Sequence, residues 1–276
     1  MSELTPPQIN RKLDLHAWWM TAMLIAINVG LFVWQILHGV DASNPAPADA
    51  IRWGADFAPL TYLEQPQRLI TSMFFHFGFV HLALNMWALY IFGSLAEQIL
   101  GRFYFIGLYF LAGLMGSLLS GYMSIQDSYE LLNHFNSIAG SQSSLIPHIA
   151  AGASGAVMGL GGALTILAFF PPLPLQRFIL DKKALLIVMG INLAFGFMTI
   201  GINNSAHIGG MIMGAFLVFI WYLFQKMKAQ MLGNLIGLVS GSLVCVVFYQ
   251  YCISLLPPIT PFWQMILSQM SQQLGR

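Results

Sequence analysis

Charged residues are scarce in this sequence. Asp, Glu, Lys and Arg make up 8% of its 276 residues, whereas 57% are hydrophobic. Soluble domains contain about 25% charged residues, which is enough to cover a globule with polar surface. The composition therefore excludes a soluble globular protein and indicates a chain that lies almost wholly in a lipid bilayer. Basic patches are lacking as well, and the net charge of +1 argues against nucleic acid as a partner.

Cysteine and metal-binding motifs are also scarce. The two cysteines, Cys245 and Cys252, lie seven positions apart in an apolar run. On a helix they would be separated by roughly 10 Å, at about 1.5 Å of rise per residue, which is too far for a disulfide bond. The sequence has neither a CxxC motif nor the H-E-x-x-H motif of zinc proteases, and it lacks a pair of intramembrane aspartates. We therefore expect no metal and no cofactor.

Long apolar runs, by contrast, are abundant. A helix needs about 20 apolar residues to cross a bilayer. The sequence predicts seven such spans, at 17–38, 79–100, 103–125, 148–170, 184–202, 205–225 and 235–256. The first is too long for the apolar core of a cleaved signal peptide and is expected to remain as an anchor. Long loops are predicted at 39–68 and 126–147, and the tail from Pro257 is predicted to lie at the membrane interface.

The distribution of Lys and Arg predicts the orientation, because these residues favour the cytoplasmic side. With a cytoplasmic N-terminus, that side holds eight of them: Arg11, Lys12, Arg102, Arg177, Lys182, Lys183, Lys226 and Lys228. The opposite side holds three: Arg52, Arg68 and Arg276. This bias predicts a cytoplasmic N-terminus and places both long loops on the extracytoplasmic side.

Few polar residues interrupt the predicted spans, and each costs free energy unless it is hydrogen-bonded. Asn28 and Asn192 stand alone, and an interhelical hydrogen bond is enough to explain each. Four others are predicted at similar depth in the outer half of the membrane, on three different helices. These are His81, Asn85, Ser154 and His207. Their coincidence predicts one water-accessible pocket near the two long loops.

Ser154 and His207 are the candidates for chemistry in this pocket. A serine becomes a nucleophile when a base within hydrogen-bond reach accepts its proton, and His207 is the only histidine in the later spans. All ten carboxylates fall in tails, in loops or, for Glu97, at the inner end of a span. None is predicted to orient His207 unless a loop dips inward. A Ser–His dyad is therefore the simplest prediction.

Acyl transfer also needs hydrogen-bond donors for the developing oxyanion. His81 and Asn85 are spaced i, i+4, so both lie on one face of a helix and offer N–H groups. The backbone N–H of Ser154 is a third candidate donor. Gly152 and Gly155 flank the serine and lack a Cβ, so a peptide or a neighbouring helix can approach closely.

Glycine spacing predicts which helices meet. The segments "GASGAVMG" and "HIGGMIMG" each place two glycines four residues apart. Small residues at this spacing favour close helix contact in lipid. Packing of the two faces would bring Ser154 and His207 together, although helix packing alone would also explain the glycines.

Taken together, these motifs resemble those of the rhomboid intramembrane serine proteases. The matching segments are "HFGFVHLALNMW", "GASG" and "AHIGGMIMG", with "WGADFAP" and "QRLITSMFFH" ahead of them. G-x-S-G alone is a weak signal, but in this order, on these spans, the set is specific. The resemblance extends from about residue 51 to residue 225, and a seventh span follows, as in rhomboids of the six-plus-one type.

The resemblance implies an all-α polytopic membrane protein with a rhomboid-like bundle of six transmembrane helices and one C-terminal transmembrane helix. The expected organisation has three parts. They are a cytoplasmic N-terminal tail (1–16), the six-helix core (17–226), and the seventh helix with the C-terminal tail (227–276). The short tails and the six-plus-one layout favour a bacterial inner membrane.

The resemblance also implies roles for individual residues. Ser154 would be the nucleophile and His207 the base, while His81 and Asn85 would form the oxyanion site with the Ser154 amide. His76 would border the same cavity in a supporting role, because its offset from His81 places it on another helical face.

Gly152, Gly155 and Met158 are expected to support the site as well. Met158 stands where the family often has an aromatic residue that packs on the histidine, and methionine also packs against rings. Gln67 precedes Arg68 where the family has tryptophan, so the aromatic half of a first-loop Trp–Arg pair is missing.

The expected activity is that of an intramembrane serine endopeptidase. It would cleave transmembrane segments of other membrane proteins near their extracytoplasmic ends, with these substrates and the lipid bilayer as its partners. The alternative is a rhomboid-like pseudoprotease that binds membrane-protein clients without cleaving them, and the intact set of four polar residues argues against it. A transporter with a histidine proton relay is disfavoured, because the spans show no carboxylate pathway and no inverted repeat.

Overall fold

The computed structural model describes residues 15–134, 147–171, 180–198 and 204–273, and these ranges are mainly helical. In chain order the helices are α1 (Trp19–Leu37), α2 (Pro47–Arg52), α3 (Ala58–Leu63), α4 (Arg68–Thr71), α5 (Phe79–Leu100), α6 (Arg102–His134), α7 (Ser154–Phe169), α8 (Lys182–Met198), α9 (Asn204–Lys226), α10 (Gln230–Ser254) and α11 (Thr260–Gln273). Short 3₁₀ turns occur at Leu15–Ala17 and Ser72–Phe74. Two strands, β1 (Asp56–Phe57) and β2 (Ile149–Ala150), form a small antiparallel pair.

Seven long helices correspond to the seven predicted spans. Five of them, α1, α5, α6, α9 and α10, are long and apolar enough to cross a membrane. The other two are shorter, with 16 residues in α7 and 17 in α8. The chain is therefore a multi-pass helical membrane protein, as its composition predicts.

Three predicted boundaries are wrong by five residues or more. The seventh span was predicted from residue 235, but α10 already begins at Gln230. The loop predicted at 126–147 begins as helix, because α6 continues to His134. Tertiary contacts stabilise this extension, since Ser128 accepts a hydrogen bond from the Trp263 indole and Tyr129 donates to the carbonyl of Leu255. The fourth span, predicted from residue 148, becomes helical only at Ser154. The "SIAGSQSS" segment and Arg177 lie outside the described residues.

Helix α7 forms the centre of the bundle. Every residue from Ser154 to Leu164 is buried, and α5, α6, α8 and α9 all pack against this helix. The closest approach is to α9, where a Cβ added to Gly210 or Gly214 would collide with a carbonyl oxygen of α7. The close helix contact predicted from the glycine spacing is therefore present, and it aligns the first turns of α7 and α9.

A buried carboxylate attaches α1 to the bundle. Glu97, near the end of α5, accepts hydrogen bonds from the Thr21 backbone N–H and hydroxyl, both at 2.8 Å, and from the Met20 N–H at 3.1 Å. These amides belong to the first turn of α1, where N–H groups lack intrahelical partners and the helix dipole favours a negative charge. Gly101, with a φ of +82°, then ends α5 and allows the sharp turn into α6.

The C-terminal helices brace the connection between α1 and α5. Tyr62 of α3 stacks on Tyr249 of α10, with ring centroids 5.8 Å apart, and also contacts Trp263 of α11. These rings belong to a hydrophobic cluster separate from the main core. In the strand pair, Asp56 lies opposite Ala150, so the same connection is joined to the segment that leads into α7.

Candidate active site

Ser154 begins α7 directly after a sharp turn. The chain leaves β2, passes Gly152 with a φ of +124°, and enters the helix at Ser154. Residues other than glycine rarely adopt this φ. A Cβ added to Gly152 would also lie only 2.8 Å from Cε1 of His81. The serine therefore sits at a helix N-terminus, where backbone N–H groups have no partners within the helix.

Two residues that precede α5 hold this turn in place. The Gly152 N–H donates to the carbonyl of Ser72 at 2.9 Å, and the Ala153 N–H donates to Nε2 of His76 at 3.4 Å. The His76 side chain is buried, and its ring centroid lies 5.2 Å from that of His81. His76 thus contacts the backbone of the turn, which is consistent with the supporting role expected for it.

His81 presents a donor beside the serine. Its Nδ1 accepts a hydrogen bond from the Phe77 N–H at 3.1 Å. A backbone N–H can only donate, so in the neutral ring the proton must lie on Nε2. This Nε2 is buried and has no hydrogen-bond partner within the part of the chain that the structure describes. A Cβ added to Gly152 would lie 3.0 Å from this Nε2 and 3.8 Å from Oγ of Ser154, so the two groups border the same position beside the turn.

Asn85 lies one turn further along α5 and is also buried. Its Nδ2 donates to the carbonyl of His81 at 3.0 Å, and its Oδ1 has no partner among the described residues. One of the two amide protons is therefore engaged within the helix. The other proton is available for the donor role that the i, i+4 spacing predicts.

His207 lies in the first turn of α9. Its Nδ1 is 3.2 Å from Oδ1 of Asn204, and its Nε2 is buried without a partner in the described ranges. The hydrogen bond between the Ser154 hydroxyl and Nε2 is therefore not formed in this structure. In free enzymes catalytic hydrogen bonds are often long or poorly aligned, and they tighten when the substrate binds.

The first turns of α7 and α9 nevertheless face each other. A Cβ on Gly155 would lie 3.3 Å from the carbonyl oxygen of Ala206, the neighbour of His207. Met158, one turn after Ser154, is fully buried. The structure thus gathers residues from α5, α7 and α9 at one end of the bundle.

One carboxylate unexpectedly reaches the site. Asp56 was predicted to remain in a loop, but β1 pairs with β2 and buries it. It accepts a hydrogen bond from the Thr61 hydroxyl at 2.6 Å. Burial raises the pKa of Asp56 to about 7, although the Thr61 hydrogen bond and the charge of Arg68 act in the opposite direction. Sequence periodicity could not reveal this position, because the strand pair joins segments far apart in the chain.

Asp56 and Ser154 line the same small cavity. Its volume is about 20 Å³, enough for about one water molecule. The lining consists of small or polar residues: Asp56, Ser72, Ser117, Ser120, Ala150, Ala151, Gly152, Ser154 and Ala206. The cavity therefore offers a polar space of limited size directly beside the candidate nucleophile.

Arg68 orders the loop that carries Asp56, although Gln67 replaces the aromatic residue expected before it. The guanidinium Nη1 donates to the carbonyl oxygens of Ile51 and Ala55, each at 2.8 Å. Since Ala55 directly precedes Asp56, these bonds fix the backbone where it enters β1. The missing aromatic side chain is therefore not needed for an ordered loop.

The described ranges contain no group of three His, Cys, Asp or Glu side chains placed to hold a metal ion. Both cysteines, Cys245 and Cys252, are buried and free, which confirms that they do not form a disulfide bond with each other. The polar groups concentrated at the end of the bundle are thus mainly hydroxyls, imidazoles and amides.

Comparison with known proteins agrees with this arrangement. The sequence model of the rhomboid domain matches residues 63–226. The rhomboid protease AarA of Providencia stuartii is 28% identical over 251 residues, which cover 88% of this chain and 86% of AarA. The rhomboid protease GluP of Bacillus subtilis is 31% identical over 196 residues, or 71% of this chain and 33% of GluP.

A plant protein is similar as well. RHOMBOID-like protein 6, mitochondrial, of Arabidopsis thaliana is 32% identical over 191 residues, which cover 68% of this chain and 55% of the relative. The region matched by the rhomboid domain model, residues 63–226, contains the turn before α7 and the start of α9, where the candidate residues lie. The chain belongs to the rhomboid family of intramembrane serine proteases.

Proposed function

We propose that this protein is an intramembrane serine endopeptidase in which Ser154 is the nucleophile and His207 the general base. The observation that carries the proposal is the alignment of α7 and α9, whose first turns face each other at Gly155 and Ala206. Nε2 of His207 has no hydrogen-bond partner among the described residues, so it is free to accept the proton of the Ser154 hydroxyl.

The proposed reaction proceeds in two steps. The hydroxyl oxygen of Ser154 attacks the scissile carbonyl carbon while Nε2 of His207 takes its proton. The resulting imidazolium then gives this proton to the leaving amine, and an ester with Ser154 remains. A water molecule, deprotonated by His207, attacks the ester, and the proton returns to the serine oxygen as the new carboxyl product leaves.

The oxyanion formed in each step needs donors that are already in position. Nε2–H of His81 and the backbone N–H of Ser154 supply two donors, and the second amide proton of Asn85 supplies a third. His81 is suited to this role because its Nδ1 is occupied by the Phe77 N–H, which keeps the proton on Nε2. The positive end of the α7 dipole adds to the stabilisation.

The substrates of the proposed enzyme are transmembrane segments of other proteins. A helical peptide bond is shielded by its own backbone hydrogen bonds, so the segment must unwind before Ser154 can attack. We therefore expect helix-weakening residues such as glycine or proline near the cleavage site. The cavity of about 20 Å³ beside Ser154 favours a small residue before the bond that is cut.

The proposed cleavage lies near the extracytoplasmic side of the membrane. This assignment rests on the excess of Lys and Arg at the other ends of the spans, and it implies a cytoplasmic N-terminus. We propose a bacterial inner membrane as the location. Helix α7 has 16 residues and is too short to cross the full bilayer. Its N-terminus, with Ser154, therefore lies at the end of a recess that water can enter.

The test is cleavage of a fluorogenic transmembrane substrate by the purified protein in liposomes. Ser154→Ala is expected to lower the rate at least about 10³-fold, because the nucleophile is lost. Ser240→Ala is the matched control, since the bond described for Ser240 of α10 is local and donates to the Gly237 carbonyl of its own helix. Equal rates for Ser154→Ala and the wild type would exclude the proposed mechanism.

A fluorophosphonate probe separates the enzyme from a pseudoprotease that binds without cleaving. The probe labels an activated serine and is expected to label the wild type but not Ser154→Ala. An unlabelled wild-type protein that still binds transmembrane clients would favour the pseudoprotease and exclude the endopeptidase.

A further inference from the structure

Asn204 contacts the candidate base directly. It is the first residue of α9, His207 follows one turn later, and Oδ1 of Asn204 lies 3.2 Å from Nδ1 of His207. Residues at i and i+3 share a helix face, so the N-x-x-H spacing allows the contact without fixing it. The sixth span was predicted to begin at residue 205, and the structure shows that the helix already includes Asn204 and brings it to the base.

Helix α8 packs against both Asn204 and His207. A Cβ added to Gly196 of α8 would collide with Oδ1 of Asn204 and would lie 3.1 Å from Cε1 of His207. The glycine thus leaves room for both side chains against α8. Because α8 closes one side, the asparagine oxygen is held beside the imidazole and not directed into open space.

The chemistry of this contact determines which nitrogen can act as the base. An amide oxygen only accepts hydrogen bonds, so Nδ1 of His207 must carry the proton. In the neutral ring the lone pair then lies on Nε2, the atom without a partner in the described residues. The opposite tautomer would place a proton on Nε2 and leave it unable to accept one from Ser154.

An amide is well suited to this place in the membrane. When His207 takes the serine proton, both ring nitrogens carry hydrogen, and the Asn204 oxygen continues to accept from Nδ1–H. A carboxylate would also accept this bond, but a charged side chain at this depth costs more free energy. Asp56 lies in the cavity beside Ser154, and its hydrogen-bond partner is Thr61.

We propose that Asn204 is a positioning residue that holds His207 in the tautomer with Nδ1–H, so that the dyad works as a Ser–His–Asn arrangement. The proposal rests on the proposed function of Ser154 and His207 and adds a third group to it. Cysteine proteases use an asparagine in the same way, on unrelated folds.

The kinetic test compares two substitutions of Asn204 in liposomes. Asn204→Leu keeps a similar volume without an acceptor and is expected to lower kcat about 10- to 100-fold, the range for losing a hydrogen bond to a charged group. KM is expected to change less than about twofold, because no substrate contact is lost. Asn204→Asp keeps an acceptor oxygen and is expected to restore kcat to within about tenfold of the wild type.

Asn192→Leu in α8 is the matched control. Within the part of the chain that the structure describes, Asn192 donates to the Val188 carbonyl of its own helix at 2.8 Å, so its loss is expected to leave kcat within about twofold of the wild type. A wild-type kcat in Asn204→Leu, a loss confined to KM, or no restoration in a folded Asn204→Asp would each overturn the proposal.

A spectroscopic test does not depend on activity. ¹⁵N NMR of histidine-labelled protein in detergent distinguishes the two tautomers, and His207→Gln identifies the signal of His207. The wild type is expected to show Nδ1 protonated and Nε2 unprotonated, whereas Asn204→Leu is expected to show a mixture. Nε2 protonated in the wild type would overturn the proposal even where Asn204→Leu fails to fold.

The two hypotheses fail in different ways. If Ser154→Ala keeps its activity, the proposed function fails while the tautomer measurement still reports on Asn204. If Ser154→Ala is inactive and Asn204→Leu is fully active, the endopeptidase stands and the positioning role fails.

Discussion

The buried carboxyl of Asp56 predicts an unusual dependence of stability on pH. Its ordinary pKa is 3.8, and burial raises the pKa in the folded protein to about 7. A raised pKa means that the folded state holds the proton more tightly than the unfolded state does. The contribution to stability is therefore fully present below the unfolded pKa and is lost as the pH rises through 7.

The size of the effect follows from the two pKa values. The difference between 3.8 and about 7, at about 1.36 kcal/mol per pKa unit, corresponds to at most about 4 kcal/mol. In the wild type the Thr61 hydroxyl donates to the Asp56 carboxyl at 2.6 Å. Asp56→Asn removes the titrating group but keeps an oxygen that can accept this hydrogen bond. We expect the substituted protein to lose most of the decline in stability between pH 4 and pH 7.

The assay is thermal unfolding in detergent micelles at closely spaced pH values from 5 to 8. The wild type is expected to unfold at progressively lower temperatures as the pH rises, and Asp56→Asn is expected to show a flatter profile. At pH 8 the substituted protein should be the more stable of the two, because it no longer has to bury a negative charge.

Asp41→Asn provides the control. Asp41 is exposed, and hydrogen bonds from the Asn44 and Ser43 N–H groups lower its pKa. A lowered pKa contributes stability that is lost only as the pH falls below about 4. Asp41→Asn should therefore keep the wild-type slope from pH 5 to 8. Parallel profiles for Asp56→Asn and the wild type would show that Asp56 is hydrated and would refute the reasoning.

Two further predictions concern Glu97, which attaches α1 to the bundle, and Gly152, which forms the turn before Ser154. Glu97→Ala leaves the first-turn amides of α1 and the Thr21 hydroxyl without their acceptor and should lower the free energy of unfolding by about 1–3 kcal/mol. Exposed Gln98→Ala is the control in thermal unfolding, and equal midpoints for the two proteins would contradict the role of Glu97. Gly152→Ala strains a φ of +124° and pushes on His81, so cleavage should fall at least about tenfold. Gly30→Ala has open space around it and should cleave normally, and unchanged cleavage by Gly152→Ala would show that the turn adjusts freely.

The long apolar runs and the site motifs could be predicted from the sequence because they depend on local information. The span predicted at 79–100 coincides with α5, since it is bounded by Gly78 and Gly101. The glycines at i, i+4 spacing likewise predicted the contact of α7 with α9. The extension of α6 to His134 could not be predicted, because its polar residues are stabilised by the distant Trp263 and Leu255.

The candidate site divides in the same way. Ser154, His207, His81 and Asn85 were recognisable from their residue types, their spacing and their depth in the membrane. The ring nitrogen that carries the proton depends on a hydrogen bond from Phe77 for His81 and on one to Asn204 for His207. These bonds are recognised from interatomic distances in the structure, which the sequence does not give.

The sequence by itself determined a multi-pass helical membrane protein of the rhomboid family, because hydropathy, helical spacing and short motifs act within single segments. The tertiary structure alone decided that Asp56 joins the cavity of Ser154 and that Asn204 meets His207. Burial and hydrogen bonding depend on which segments lie side by side, and a chain of apolar helices reveals those neighbours only when it has packed.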